Sequence, residues 1–351
     1  MERPRLYKFS PKRTRPKLSA RFLLLAGFCA IFVTFIVQVW LAFLPTQALQ
    51  AAPRVVEISR HLSVVEVAKQ LKDAQLIPSK TSFLLLTALR GSQKNLKAGE
   101  YEFPQGASTL QILKFMENGK VKPHNITLPE GGMVRDLARS LEREGLARAE
   151  DVIRASTDPA ILKTLDVDAS SLEGYLFPDT YQLFKGMTLE EILAKMVRRL
   201  REVVTSELIS EADSRNVTLH QLLTMASIIE REAVVPSEHP IISGVFWNRL
   251  RRNMPLQADP TVQYAVGKGY QALTREDLLT DSPYNTYRYQ GLPPTPIASP
   301  GKSAILAALR PAPVKYLYFV SIDNRYHYFS TTIDQHNSAV ARYRLVRANN
   351  K

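Results

Sequence analysis

Leu219–Glu232, LHQLLTMASIIERE, is the stretch whose reading decides the fold of this 351-residue chain. With Glu230 set at zero and about 100° per residue, Leu223 lies at about +20°, Ala226 at about −40°, Leu222 at about −80° and Ile229 at about −100°. Apolar side chains cover most of the circumference, which predicts a helix buried in a domain interior. Glu230 shares the apolar face. A carboxyl there loses water, its pKa rises, and it can hold a proton near neutral pH, as a general acid must. Glu232 lies about 200° further round, where an ordinary surface or ion-paired residue would serve. The competing reading of Glu230 is a buried acid paired with Arg249 or Arg251 of the next helix.

Outward from this helix, Leu189, Ile192, Leu193, Met196, Val197, Leu200, Val203 and Val204 trace the apolar stripe of a preceding long helix. Seven of the 22 prolines fall in residues 282–313, which predicts a rigid, extended crossing segment. Strands are expected at Tyr316–Ile322 and Tyr326–Phe329, then a basic helix to the C-terminus. Towards the N-terminus, residues 54–146 alternate strand-like runs (Val55–Ile58, Gly99–Phe103, His124–Leu128) with short helices, with Ser63 and Ser108 placed as N-caps. Ser63–Leu71 and Gly132–Leu141 repeat one strand–helix pattern. Repeated units of this kind build small carbohydrate-binding modules, and they also occur in any small α+β domain.

The net charge of +13 invites a nucleic-acid reading, but eight basic residues against one acid fall in residues 1–21. That block holds +7, and the other 330 residues share +6. It precedes Phe22–Leu44, 23 residues without a charge, enough at about 1.5 Å per residue to cross about 30 Å of hydrocarbon. A cleaved signal peptide would have an apolar core of only about 7–15 residues. Flanking charge orients the N-terminus to the cytoplasm and residues 45–351 outside. Residues 45–53, uncharged and rich in Ala and Gln, read as a stalk. The single cysteine, Cys29, lies within the span, so no internal disulfide is available. Nucleic-acid binding is not expected, because the basic block is a short tail with only Tyr7 and Phe9 interleaved.

Metal and nucleotide chemistry have no sequence signal. His-Glu-x-x-His, cysteine pairs, glycine-rich phosphate loops and Gly-x-Ser-x-Gly are all absent. No metal or cofactor is expected. Two polar loops remain. In Met254–Val262, Asp259-Pro260-Thr261 reads as a helix cap, while Gln257 has no such architectural role. Ser282–Tyr287 and Gly291–Pro296 set aromatic rings beside amides. That mixture suits a sugar site, and equally a proline-stiffened loop packed on the core.

Taken in order, the motifs converge. LEGYLFPDTY at Leu172–Tyr181, ASIIERE at Ala226–Glu232, FWNRL at Phe246–Leu250 and LQADPTVQYA at Leu256–Ala265 come first. SPYNTY at Ser282–Tyr287, GLPPTPIASPG at Gly291–Gly301, YLYFV at Tyr316–Val320 and HYFS at His327–Ser330 follow. The chain closely resembles the endolytic murein transglycosylase (YceG-like) family over nearly its whole length. It departs at Gly132-Met133, where an aromatic residue is usual after the glycine, and at Asn324-Arg325-Tyr326, where a glycine turn is common. The resemblance implies an α+β protein with one transmembrane helix at 22–44, a LysM-like module at 54–149 and a catalytic domain at 150–351 with central helices and short strands.

It further implies a lyase of the inner membrane with its catalytic part in the periplasm, cutting the MurNAc–GlcNAc bond of nascent glycan strands to leave 1,6-anhydro ends and so ending strand elongation. Glu230 matches the catalytic glutamate, with Gln257, Asp259, Asn285 and Tyr287 expected to line the sugar groove. Glu232 and Glu238 are the nearby candidates for a second carboxylate, which an ordinary glycosidase needs and a lytic enzyme does not. Peptidoglycan is the expected partner, with peptidoglycan synthases and division or elongation proteins as further ones. A muramidase and a non-catalytic glycan-binding anchor are the alternatives.

Overall fold

The computed structural model describes residues 20–44, 54–322 and 325–349, so the basic tail and the stalk lie almost wholly outside the described residues. The chain forms two compact units that divide between Lys122 and Pro123. The fold is mixed α+β, with six short strands among the described residues.

The first unit opens with α1 (Ala20–Phe43). Among the described residues it alone is long and apolar enough to cross a membrane. Its C-terminal end packs on α3 (Lys80–Leu89) and α4 (Thr109–Asn118). There Ala42 is buried, and the Ser79 hydroxyl lies 3.0 Å from Gln38 Oε1. Strands β1 (Arg54–Ile58) and β2 (Gly99–Phe103) pair antiparallel, with α2 (Val64–Asp73) and α3 between them in sequence. Both serines read as N-caps hold that position. Ser63 with Glu66 and Ser108 with Gln111 form reciprocal capping boxes that satisfy otherwise orphaned amides. Val67, Leu71, Phe83, Tyr101, Phe103, Ile112 and Leu113 make the core of this unit.

The second unit begins with β3 (His124–Leu128), α5 (Val134–Arg143), α6 (Ala149–Ala155), α7 (Pro159–Thr164) and β4 (Asp179–Leu183). Strands β3 and β4 pair antiparallel, Ile126 opposite Tyr181. β4 was not expected from the sequence, and its pairing is the reason the expected boundary near 149/150 falls inside this unit. Residues 123–149 share a core with the helices that follow: α8 (Leu189–Val203), α9 (Ser206–Ser214), α10 (Leu219–Glu232), α11 (His239–Arg251) and α12 (Asp259–Ala265), while the short α13 (Arg275–Leu278) buries no residue. The helix predicted from LHQLLTMASIIERE is α10, its Thr218–Gln221 capping box starting it and its residues 222–229 buried all round.

Residues 282–301 are irregular, as the prolines require, but α14 (Lys302–Leu309) interrupts the expected extended segment. No proline lies between Pro300 and Pro311, and KSAILAAL is rich in strong helix formers. α14 packs along α10 and α11. The hairpin of β5 (Tyr318–Ser321) and β6 (His327–Ser330), with α15 (Ile333–Asn349) against it, completes the unit.

Candidate active site

The end of α10 presents two glutamates in different directions. Glu230 faces the paired loops 129–132 and 299–301, where Gly131 N–H donates to Ser299 O and Ser299 N–H to Gly132 O. Its Oε2 accepts the Gly301 N–H at 2.9 Å. Desolvation pushes its carboxyl up to about 7, with the Gly301 hydrogen bond opposing and the Glu130 charge assisting. No ion pair to Arg249 or Arg251 forms. The exposed Glu130 carboxylate lies over the Gly301 Cα, in the space a side chain at 301 would take.

Glu232 points instead into an open cleft of about 360 Å³, whose walls include Arg249, Gln257, Asp259, Tyr287, Phe319 and His327. Desolvation pushes its carboxyl up to about 8, the Asp259 charge pushes the same way, and Arg249 and Arg231 only partly offset them. Among the described residues the Glu232 carboxyl has no hydrogen-bond partner, so it faces the cleft protonated at neutral pH and unengaged.

Each cleft residue is placed by a specific device. Arg249, buried at the end of α11, donates to Leu317 O at 2.7 Å, Leu256 O at 2.9 Å and Pro255 O and Gln257 Oε1 at 3.1 Å. It thereby ties the 254–258 loop to the strand region. Gln257 is held with φ +52°, a left-handed conformation costly for a residue with a Cβ, and its N–H donates to Thr286 O. Asp259 does not cap α12. Ala258 is the N-cap, and the Asp259 carboxylate accepts the Tyr287 hydroxyl at 2.6 Å. That bond, added to burial, holds the Tyr287 phenol well above its ordinary pKa.

Of the residues expected around Glu230, Gln257, Asp259 and Tyr287 are brought together, but around Glu232. Asn285 does not line the cleft. Fully buried, it spends its amide on Leu278 O and Thr280 O at 3.0 and 2.8 Å and accepts the Tyr287 N–H. It shapes the loop that carries Tyr287. The sequence reading missed Arg249 as the organiser of the cleft and His327 on its wall. A larger hollow of about 570 Å³ beside Tyr175, Leu200 and His220 has only the exposed Asp166 and Asp168 as carboxylates. Among the described residues no cluster of His, Cys, Asp and Glu could hold a metal ion.

The chain matches the YceG-like family over residues 56–342. It is 35% identical over 297 residues to the endolytic murein transglycosylase of Bacillus subtilis, covering 80% of this chain and 82% of that one. To the protein of the same name from Streptococcus pneumoniae it is 31% identical over 334 residues, spanning 86% of this chain and 60% of the relative. A crystal structure of a yceG-like protein from Listeria monocytogenes superposes with a TM-score of 0.58 at 34% identity, covering 82% of this chain and 99% of that one.

Proposed function

The chain belongs to the YceG-like family, and from that premise we propose that it is a lytic transglycosylase of peptidoglycan, a lyase, anchored by α1. The reaction cuts the MurNAc–GlcNAc β-1,4 bond within nascent strands and ends their elongation. Glu232 protonates the bridging oxygen as the C1–O4 bond breaks. The C6 hydroxyl of the same muramic acid attacks C1, and the Glu232 carboxylate takes its proton, leaving a 1,6-anhydro end. No protein nucleophile and no cofactor enter. The observation that carries this reading is the protonated, unengaged carboxyl of Glu232 in the cleft that also holds Gln257, Asp259 and Tyr287. Glu230, the residue read from helical periodicity, accepts a backbone N–H outside that group, and its role in this reading is to hold α14 to α10.

The orientation follows the flanking charge, with the N-terminus cytoplasmic and residues 45–351 in the periplasm. Residues 54–122, two antiparallel strands with helices between and after them, act as a LysM-like glycan-binding module. Peptidoglycan synthases and division or elongation proteins are the partners this places within reach.

The test is mass analysis of products released from purified sacculi by the full chain in detergent. Anhydro-muropeptides are expected from the wild type and from Glu230→Gln, and none from Glu232→Gln. The second carboxylate in the cleft, Asp259, supports a muramidase as the alternative. Reducing rather than anhydro ends would establish that alternative.

A further inference from the structure

One wall of the cleft carries a histidine, His327, held from behind by a buried glutamate, and the reaction above uses neither. Glu238 ends the single turn Pro236–Glu238, and His327 begins β6. Both side chains are only 10% exposed. The two carboxylate oxygens of Glu238 serve this one histidine: Oε1 accepts the His327 backbone N–H at 3.0 Å and Oε2 lies 2.7 Å from Nδ1. A carboxylate only accepts, so Nδ1 carries a proton towards Glu238 and Nε2 is the ring nitrogen left over. The ring plane is fixed independently by edge contact with Phe319, centroids 5.3 Å apart at 86°. Both rings line the cleft, and Nε2 has no partner among the described residues. Ring plane and position are thus both set, with one ring nitrogen left over.

We propose that His327 contacts the glycan, its Nε2 accepting a hydrogen bond from a hydroxyl or acetamido N–H of an N-acetylhexosamine unit, and that Glu238 is the positioning residue that fixes it. This rests on the reading of the cleft as the sugar groove. An amide at 327 separates the two ends of the ring. Asn keeps a polar group near the Nδ1 position and offers nothing at Nε2, whereas Gln reaches the Nε2 position with an acceptor oxygen.

The test measures binding of peptide-stripped glycan strands to the full chain in detergent, in the Glu232→Gln background where no turnover intervenes, with thermal unfolding alongside. His327→Asn is expected to weaken binding about tenfold, the worth of one hydrogen bond to a buried site, and His327→Gln by less than about threefold. Any result in which Gln is no better than Asn overturns the contact. Glu238→Gln, with one acceptor for two N–H groups, should weaken binding in the parent but add nothing to His327→Asn. An undiminished effect there overturns the positioning role. Failure of the lyase reading shows separately, as a wild type that releases no anhydro product, and leaves the binding comparison standing.

Discussion

Replacing Glu232 by Gln separates catalysis from stability in one substitution. The Gln side chain keeps shape and volume but cannot donate a proton to a leaving oxygen. Loss of a general acid costs about 10²–10⁴-fold in rate, equivalent to about 3–5 kcal/mol of transition-state stabilisation. Stability moves the other way. Desolvation raises the folded-state carboxyl from 4.5 to about 8, so the native state holds a proton that the unfolded chain gives up. The stability associated with this group is therefore fully present below about 4.5 and lost as pH rises towards 8. At about 1.4 kcal/mol per pH unit the loss at pH 7 is about 3 kcal/mol at most, and cleft water screens part of it. The carboxyl makes no hydrogen bond among the described residues, so Gln forfeits none. Chemical unfolding of both proteins at pH 4.5 and pH 8 should show near-equal stability at the lower pH and a more stable variant at the higher, by about 1–3 kcal/mol. A pH-independent difference, or a variant less stable at pH 8, would refute a desolvated, protonated Glu232. Retained anhydro-product release would refute its role as the acid.

Three further outcomes follow from the same geometry. Glu230→Gln still offers an oxygen to the Gly301 N–H, so product release should stay within about threefold of wild type, less than the loss of one hydrogen bond would bring. Asp259→Asn removes a charge that raises the Glu232 pKa, so the alkaline limb of the rate profile should move to lower pH. An unmoved limb would disconnect the two carboxyls. Gly301→Ala sets a methyl group where the exposed Glu130 carboxylate now lies, and because that side chain can swing aside, thermal unfolding should report a change of no more than about 0.5 kcal/mol.

Much of the architecture was legible in local pattern. The apolar circumference of α10, the stripe of α8, the caps at Ser63 and Ser108 and the 23-residue apolar span all depend on neighbours a few positions apart. β4 was not legible, because DTYQL becomes a strand only by pairing with His124–Leu128, more than fifty residues earlier. α14 was obscured by prolines that flank it without entering it. Asp259 was misread as a cap because the Asp-Pro pair suits one, whereas the Tyr287 hydroxyl claims its carboxylate.

The sequence by itself determined that a buried helix ends in two carboxyls about 200° apart, and that a charged tail precedes a membrane-length span. Only the tertiary structure decided which carboxyl faces the cleft. Periodicity measures a side chain's direction relative to its own helix, and both directions here lead into protein. What covers each direction comes from distant chain: the loops 129–132 and 299–301 meet Glu230, while the 254–259 loop, Tyr287 and the β5–β6 hairpin leave an opening before Glu232. Those segments are joined by Arg249 to three backbone carbonyls and by Tyr287 to Asp259, contacts that no helical spacing encodes.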